Sequence, residues 1–221
     1  MKLFHKPPAQ KYRQLLIVLI VAFLVSPFLK TGIGSILSAL MLLYTIILII
    51  RSFTLPKILF SIYTAIAVMA FGLELIVSMR WAPSFNLPFA LLSQVIFTLY
   101  LGGAAYWIGR DIFTTSKVTG DTVRGGISVY LLIGFVWALF YGMVATLDPN
   151  AFSQRLILNG SYLKALHFSF TTLTTLGYGD IVPMSEIALV LTNLEAIIGQ
   201  MYSTVFIAIL VGGYLSRRSQ G

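Results

Sequence analysis

The sequence predicts an all-α membrane protein with six transmembrane helices plus a re-entrant helix and loop. Three observations carry that reading: composition, the shape of the apolar runs and the placement of basic residues. Of 221 residues, 58% are hydrophobic and only 10% charged, and the mean hydropathy is +0.91. Such a chain lies far outside the soluble range and must keep most of its length in lipid. Its apolar residues fall in long unbroken runs without short-range alternation, which excludes a membrane barrel and leaves helices to satisfy the backbone.

Six runs are long enough to span: 14–29, 33–50, 58–79, 87–109, 127–147 and 186–215. The first is only barely so. Lys2, Lys6, Lys11 and Arg13 precede it in the manner of a signal peptide, but no convincing small-residue cleavage site follows, so it reads as a retained helix. A seventh stretch, 161–174, is about 21 Å long as a helix, too short for a core of about 30 Å, and is expected to re-enter. Between the fourth and fifth runs, residues 111–126 are rich in Thr, Ser, Gly and Asp and read as a flexible cytoplasmic linker. The expected modules are a four-helix membrane unit at 1–110, the linker at 111–126, and a unit of helix, re-entrant loop and final helix at 127–221.

Basic residues set the orientation. Lys2, Lys6, Lys11, Arg13, Arg51, Lys57, Arg110, Lys117, Arg124, Arg217 and Arg218 fall in one set of alternate loops; Lys30, Arg80, Arg155 and Lys164 fall in the other. The bias predicts a multi-pass protein of a plasma or bacterial inner membrane, both termini cytoplasmic, with 148–183 outside. The net charge of +8 therefore reflects topology, and no nucleic-acid partner is expected. There is no cysteine, and the two histidines form no ligand pattern, so no cofactor is expected. Nor are a nucleophile, a base and oxyanion donors grouped at one membrane face, which argues against an enzyme.

The chemistry concentrates in TTLGYGD, Thr174 to Asp180. A dehydrated potassium ion needs several oxygen ligands at once, and a backbone turns consecutive carbonyls inward only where its dihedrals alternate as glycine allows. Gly177 and Gly179 supply that freedom, the Thr175 hydroxyl adds an oxygen at the inner end, and Leu176 and Tyr178 point away and pack behind. The motif reads as a potassium selectivity filter at 175–179, with potassium held at Thr175, Leu176, Gly177 and Tyr178. One copy cannot close a ring, so a homotetramer around the pore axis is expected. Potassium is the permeant ion rather than a resident cofactor.

The stretch ALHFSFTTLTTLGYGDIVP, 165–183, resembles the pore segment of tetrameric potassium channels, and the resemblance extends through both flanking helices, 127–215. It implies a pore helix at 161–174, a filter at 175–179, Asp180 at the outer mouth and passive potassium flux. Ser161 is placed to cap the pore helix, whose C-terminus points its partial negative charge at the pore. Thr174, Thr171 and Phe168 support the filter, with Phe170, Leu173 and Tyr178 packing around it. Some members brace the outer aspartate with a carboxylate and a tryptophan; the matching positions here are Thr171 and His167, so that bracing is expected to be absent. Thr171 is left either to bond near Asp180 or to cap backbone.

In the last run Gly199 lies where the family has a hinge glycine, which fits either a hinge or a close-packing glycine. Glu195 and Ser203 are one turn to either side and share its face. A buried carboxylate is costly, so Glu195 is expected to be neutral, hydrogen-bonded or in contact with cavity water. Ile207 begins an apolar stretch suited to an inner gate. The fourth run, 87–109, carries no basic residue, so steep voltage dependence is not expected. Glu74 is expected to be neutralised by Arg80. Only three residues follow Arg218, so no ligand-sensing domain is expected, and any gate is expected to respond to lipid, tension, pH, permeant ions or an unseen regulatory partner. The competing readings are an ion-coupled potassium transporter, disfavoured by the single pore loop, a non-selective cation channel, disfavoured by the intact GYG, and a non-conducting channel subunit.

Overall fold

A computed structural model of the chain describes residues 12–25, 44, 57–78, 86–114, 118–157 and 161–218. Among these the fold is all-helical: α1 (Arg13–Val25), α2 (Lys57–Ser78), α3 (Asn86–Thr114), α4 (Gly120–Leu147), α5 (Leu163–Leu173) and α6 (Glu186–Arg218). Among the described residues, three helices are long and apolar enough to cross a membrane: Leu87–Thr114, Gly120–Leu147 and Glu186–Gly213. The run at 33–50, apart from Tyr44, and the proposed partner Arg80 of Glu74 lie outside the described residues. Glu74 Oε2 instead accepts a hydrogen bond from Ser93 on α3 at 2.8 Å.

The expected linker at 111–126 is corrected by the helices on both sides. α3 continues to Thr114 and α4 begins at Gly120. Among its described residues, Thr114, Thr119 and Asp121 stand at helix ends. Thr119 accepts from the Thr122 amide at 3.2 Å while the Thr122 hydroxyl accepts from the Thr119 amide at 3.1 Å, a reciprocal capping box, and Asp121 sits in the first turn where the helix dipole favours it. Replacing Thr119 by alanine is expected to lower stability by about 1 kcal/mol, read as a drop in melting temperature in detergent.

The helices pack sequentially, α2 on α3 and α3 on α4, while α4 also holds α1, α5 and α6. Aromatic and aliphatic side chains close these contacts. Leu15, Leu19, Phe97, Leu101, Ile108 and Leu132 form one buried cluster, and Tyr141, Phe152, Leu156, Leu166 and Phe168 belong to a second beneath the short helix. Tyr12, the last turn of α3, the start of α4 and the end of α6 gather at one end of the molecule. There the Tyr12 hydroxyl donates to Asp111, the Tyr12 amide reaches Asp121, and Val118 packs on Gly213. Burial, with Asp111 and Asp121 nearby, pushes the Tyr12 hydroxyl above its ordinary range. At the opposite end, residues 151–153 clasp 182–184: Ser153 N–H donates to Val182 O at 2.9 Å and Met184 N–H to Ala151 O at 2.8 Å.

Candidate functional site

The short helix α5 spans eleven residues, Leu163–Leu173, about 16 Å. It is therefore shorter than the predicted 161–174. Ser161 Oγ accepts from the Leu163 amide at 3.4 Å, a long contact, while Tyr162 occupies the cap position without a side-chain bond. Phe168 is buried, edge-on to Tyr141 at 4.9 Å and Phe152 at 5.4 Å. These rings fix the helix against α4 and the outer loop.

A helix ends with four carbonyls that lack an intrahelical partner. In α5 those of Phe170, Thr171, Thr172 and Leu173 are all engaged. Phe170 O accepts from the Thr174 amide at 3.1 Å, Thr172 O from the Thr175 amide at 2.9 Å and Thr171 O from the Gly177 amide at 3.0 Å. Leu173 O accepts from the Tyr130 hydroxyl at 3.2 Å. The groups that carry the negative end of the helix dipole are thus the ones that hold the loop that follows. Thr171 acts through this carbonyl, its own hydroxyl turning back to Phe168 O at 3.0 Å.

Along that loop φ is positive at Thr175 (58°), Gly177 (53°) and Gly179 (76°), and at neither Leu176 nor Tyr178. Alternating handedness of this kind turns successive carbonyls to one side of the chain. Glycine adopts the left-handed region freely, but for a β-branched threonine it costs about 1–2 kcal/mol. The bond from the Thr175 amide to the helix end offsets part of that strain. Residues 174–180 are all exposed in the single chain, Leu176 by 56% and Tyr178 by 67%.

Asp180 is braced by His167 itself, a contact the sequence reading did not anticipate. The imidazole Nε2 lies 3.0 Å from Asp180 Oδ2, and the same ring stacks on Tyr178 at 5.9 Å between centroids. A ring N–H at the family's tryptophan position can do what an indole N–H does, so the signal was present in the sequence. Gln154 Nε2 donates to Asp180 O at 2.8 Å, and Lys164 Nζ donates to Gln154 Oε1 at 2.7 Å. Nothing in the sequence pointed to Gln154. The His167–Asp180 pair is about half exposed, so it is worth at most about 1 kcal/mol to the fold. His167→Ala is expected to leave melting nearly unchanged while loosening the Asp180 end of the loop, read as faster decay of any current through the protein.

On α6, Glu195 and Gly199 are buried against α5, and the Tyr130 hydroxyl is hydrogen-bonded with Ser203. The Glu195 carboxyl is hydrogen-bonded at both oxygens: Oε1 lies 2.6 Å from the Ser169 hydroxyl and Oε2 accepts from Tyr141 at 2.5 Å. Gly199 stands against the end of α5, where a Cβ would lie 2.2 Å from Leu173 O. Ile207 is 59% exposed.

Comparison with known proteins meets this geometry at the same residues. Residues 126–213 match the family described as ion channel. The voltage-gated potassium channel Kch of Escherichia coli (strain K12) is 31% identical over 142 residues, 61% of this chain and 33% of that protein. The inward rectifier potassium channel Kirbac3.1 of Paramagnetospirillum magnetotacticum is 32% identical over 92 residues, 42% of this chain and 28% of that protein. The chain thus spans about a third or less of the length of these curated relatives. No solved structure matches. The match to an ion-channel family covers most of α4, the whole of α5 with its loop and most of α6, and both relatives are named as potassium channels.

Proposed function

We propose that the protein is a potassium-selective channel: four copies surround an axis and present the 175–179 backbone as the selectivity filter, with Asp180 at the outer mouth. The observation that carries this reading is the alternation of φ at Thr175, Gly177 and Gly179, which suits a carbonyl-lined path for a dehydrated cation. The exposure of that loop in the single chain supports the tetramer, since unpartnered backbone in lipid is prohibitively costly and three further copies would enclose it. Exposed apolar side chains along α6, among them Ile187, Val190, Ile197 and Val211, fit the same assembly. Gly199 and the inner third of α6 from Ile207 would form the movable wall, and both termini would be cytoplasmic.

Steep voltage dependence is not part of this reading. α3 carries no Lys or Arg before Arg110, and each elementary charge crossing the field contributes only about 2.3 kcal/mol per 100 mV. That the relative Kch is named as voltage-gated does not supply the missing charges. The test is ion flux from liposomes of purified protein, with copy number measured by native mass spectrometry. Four copies and potassium efflux well above sodium are expected. Equal efflux of the two ions, or none from a stable tetramer, would favour a non-selective pore or a non-conducting subunit.

A further inference from the structure

Helices α4, α5 and α6 meet in two matched layers. In the first, the Ser169 hydroxyl on α5 lies 2.8 Å from Gly134 O on α4 and 2.6 Å from Glu195 Oε1 on α6. In the second, Leu173 O on α5 accepts from Tyr130 on α4 and abuts Gly199 on α6. Each helix advances by four residues between the layers, from 169 to 173, from 195 to 199 and, running the other way, from 134 to 130. That is about 6 Å on every helix, so the layers fix a common register. Apolar contacts alone leave such a register free to slide by partial turns, whereas a buried hydrogen-bonded group tolerates no shift.

We infer that Glu195 is the positioning residue of this register, and that through Ser169 it holds α5 where the Leu173 end delivers the loop in its selective geometry. This deepens the selective-pore reading and rests on it. Ser169 and Glu195 are both fully buried, and the carboxyl is bonded from both oxygens, the second by Tyr141 two turns away on α4. The chemistry is that of a hydrogen-bonding fork rather than a charge facing the ion path. The single proton of Ser169 cannot serve Gly134 O and Glu195 Oε1 together. A proton on Glu195 completes the chain, passing from Oε1–H to Ser169 and from Ser169 to Gly134 O, while Tyr141 donates to Oε2. An amide in place of the carboxyl makes the same set of bonds, with its N–H donating to Ser169 and its oxygen accepting from Tyr141.

The geometry separates a positioning role from a general structural or electrostatic one. In planar bilayers with potassium on one side and sodium on the other, Glu195→Ala and the milder Ser169→Ala should raise relative sodium permeability about fivefold or more, while both still assemble as tetramers. Glu195→Gln should restore wild-type selectivity and unitary current. The inference is overturned if Ser169→Ala tetramers keep wild-type selectivity, or if Glu195→Gln behaves as Glu195→Ala does, which would point to the charge itself. Should Glu195→Ala fail to assemble, Ser169→Ala and Glu195→Gln decide the matter. A wild-type protein without selectivity would instead remove the channel reading on which the inference stands.

Discussion

Gly177→Ala is expected to abolish selective potassium conduction while leaving membrane insertion and the helix core intact. The reason is conformational rather than steric. Gly177 has φ of 53°, and a Cβ there would meet nothing within 4 Å in the single chain. An alanine held in that region costs about 1–2 kcal/mol, and in the proposed tetramer the cost recurs in each of four copies around one ring. The cheaper response is to flip the local backbone, which turns a carbonyl away from the axis and breaks the bond from the Gly177 amide to Thr171 O. Comparison of potassium and sodium flux between wild-type and variant tetramers checks this directly. Unchanged selectivity would refute the assignment of 175–179 as the filter.

Gly199→Ala should be the most damaging single methyl in α6. Its Cβ would fall 2.2 Å from Leu173 O and 2.9 Å from Leu173 Cδ1, so a backbone carbonyl has to move. Overpacking of this kind costs about 1–3 kcal/mol per chain, and the moved group is the last carbonyl of α5. The expected result is a tetramer that melts several degrees lower and loses selectivity, measured by thermal unfolding and ion flux on the same preparation. A variant with wild-type melting and selectivity but altered open probability would assign Gly199 a bending role instead.

The positive φ of Gly177 and Gly179 was legible because glycine adopts that region freely. Thr175 in the left-handed region was not, since threonine disfavours that conformation and only bonds to the end of α5 hold it there. The shared face of Glu195, Gly199 and Ser203 followed from helical spacing. What that face touches did not, because spacing within one helix says nothing about register against another. Ser169, Tyr130 and Tyr141 were therefore missed. Residues 111–126 were read as a linker because Thr, Gly and Asp signal both loops and helix starts. The capping box at Thr119 shows which they are here. Gln154 and Asp180 are 26 residues apart, and only the clasp between 151–153 and 182–184 brings them together.

The central claim is selectivity, and the reversal potential of purified protein in a planar bilayer tests it most directly, with potassium on one side and sodium on the other. A potential displaced strongly towards that of potassium is the predicted result. Robust current reversing near zero would contradict the account and demote the 175–179 loop to part of a non-selective pore.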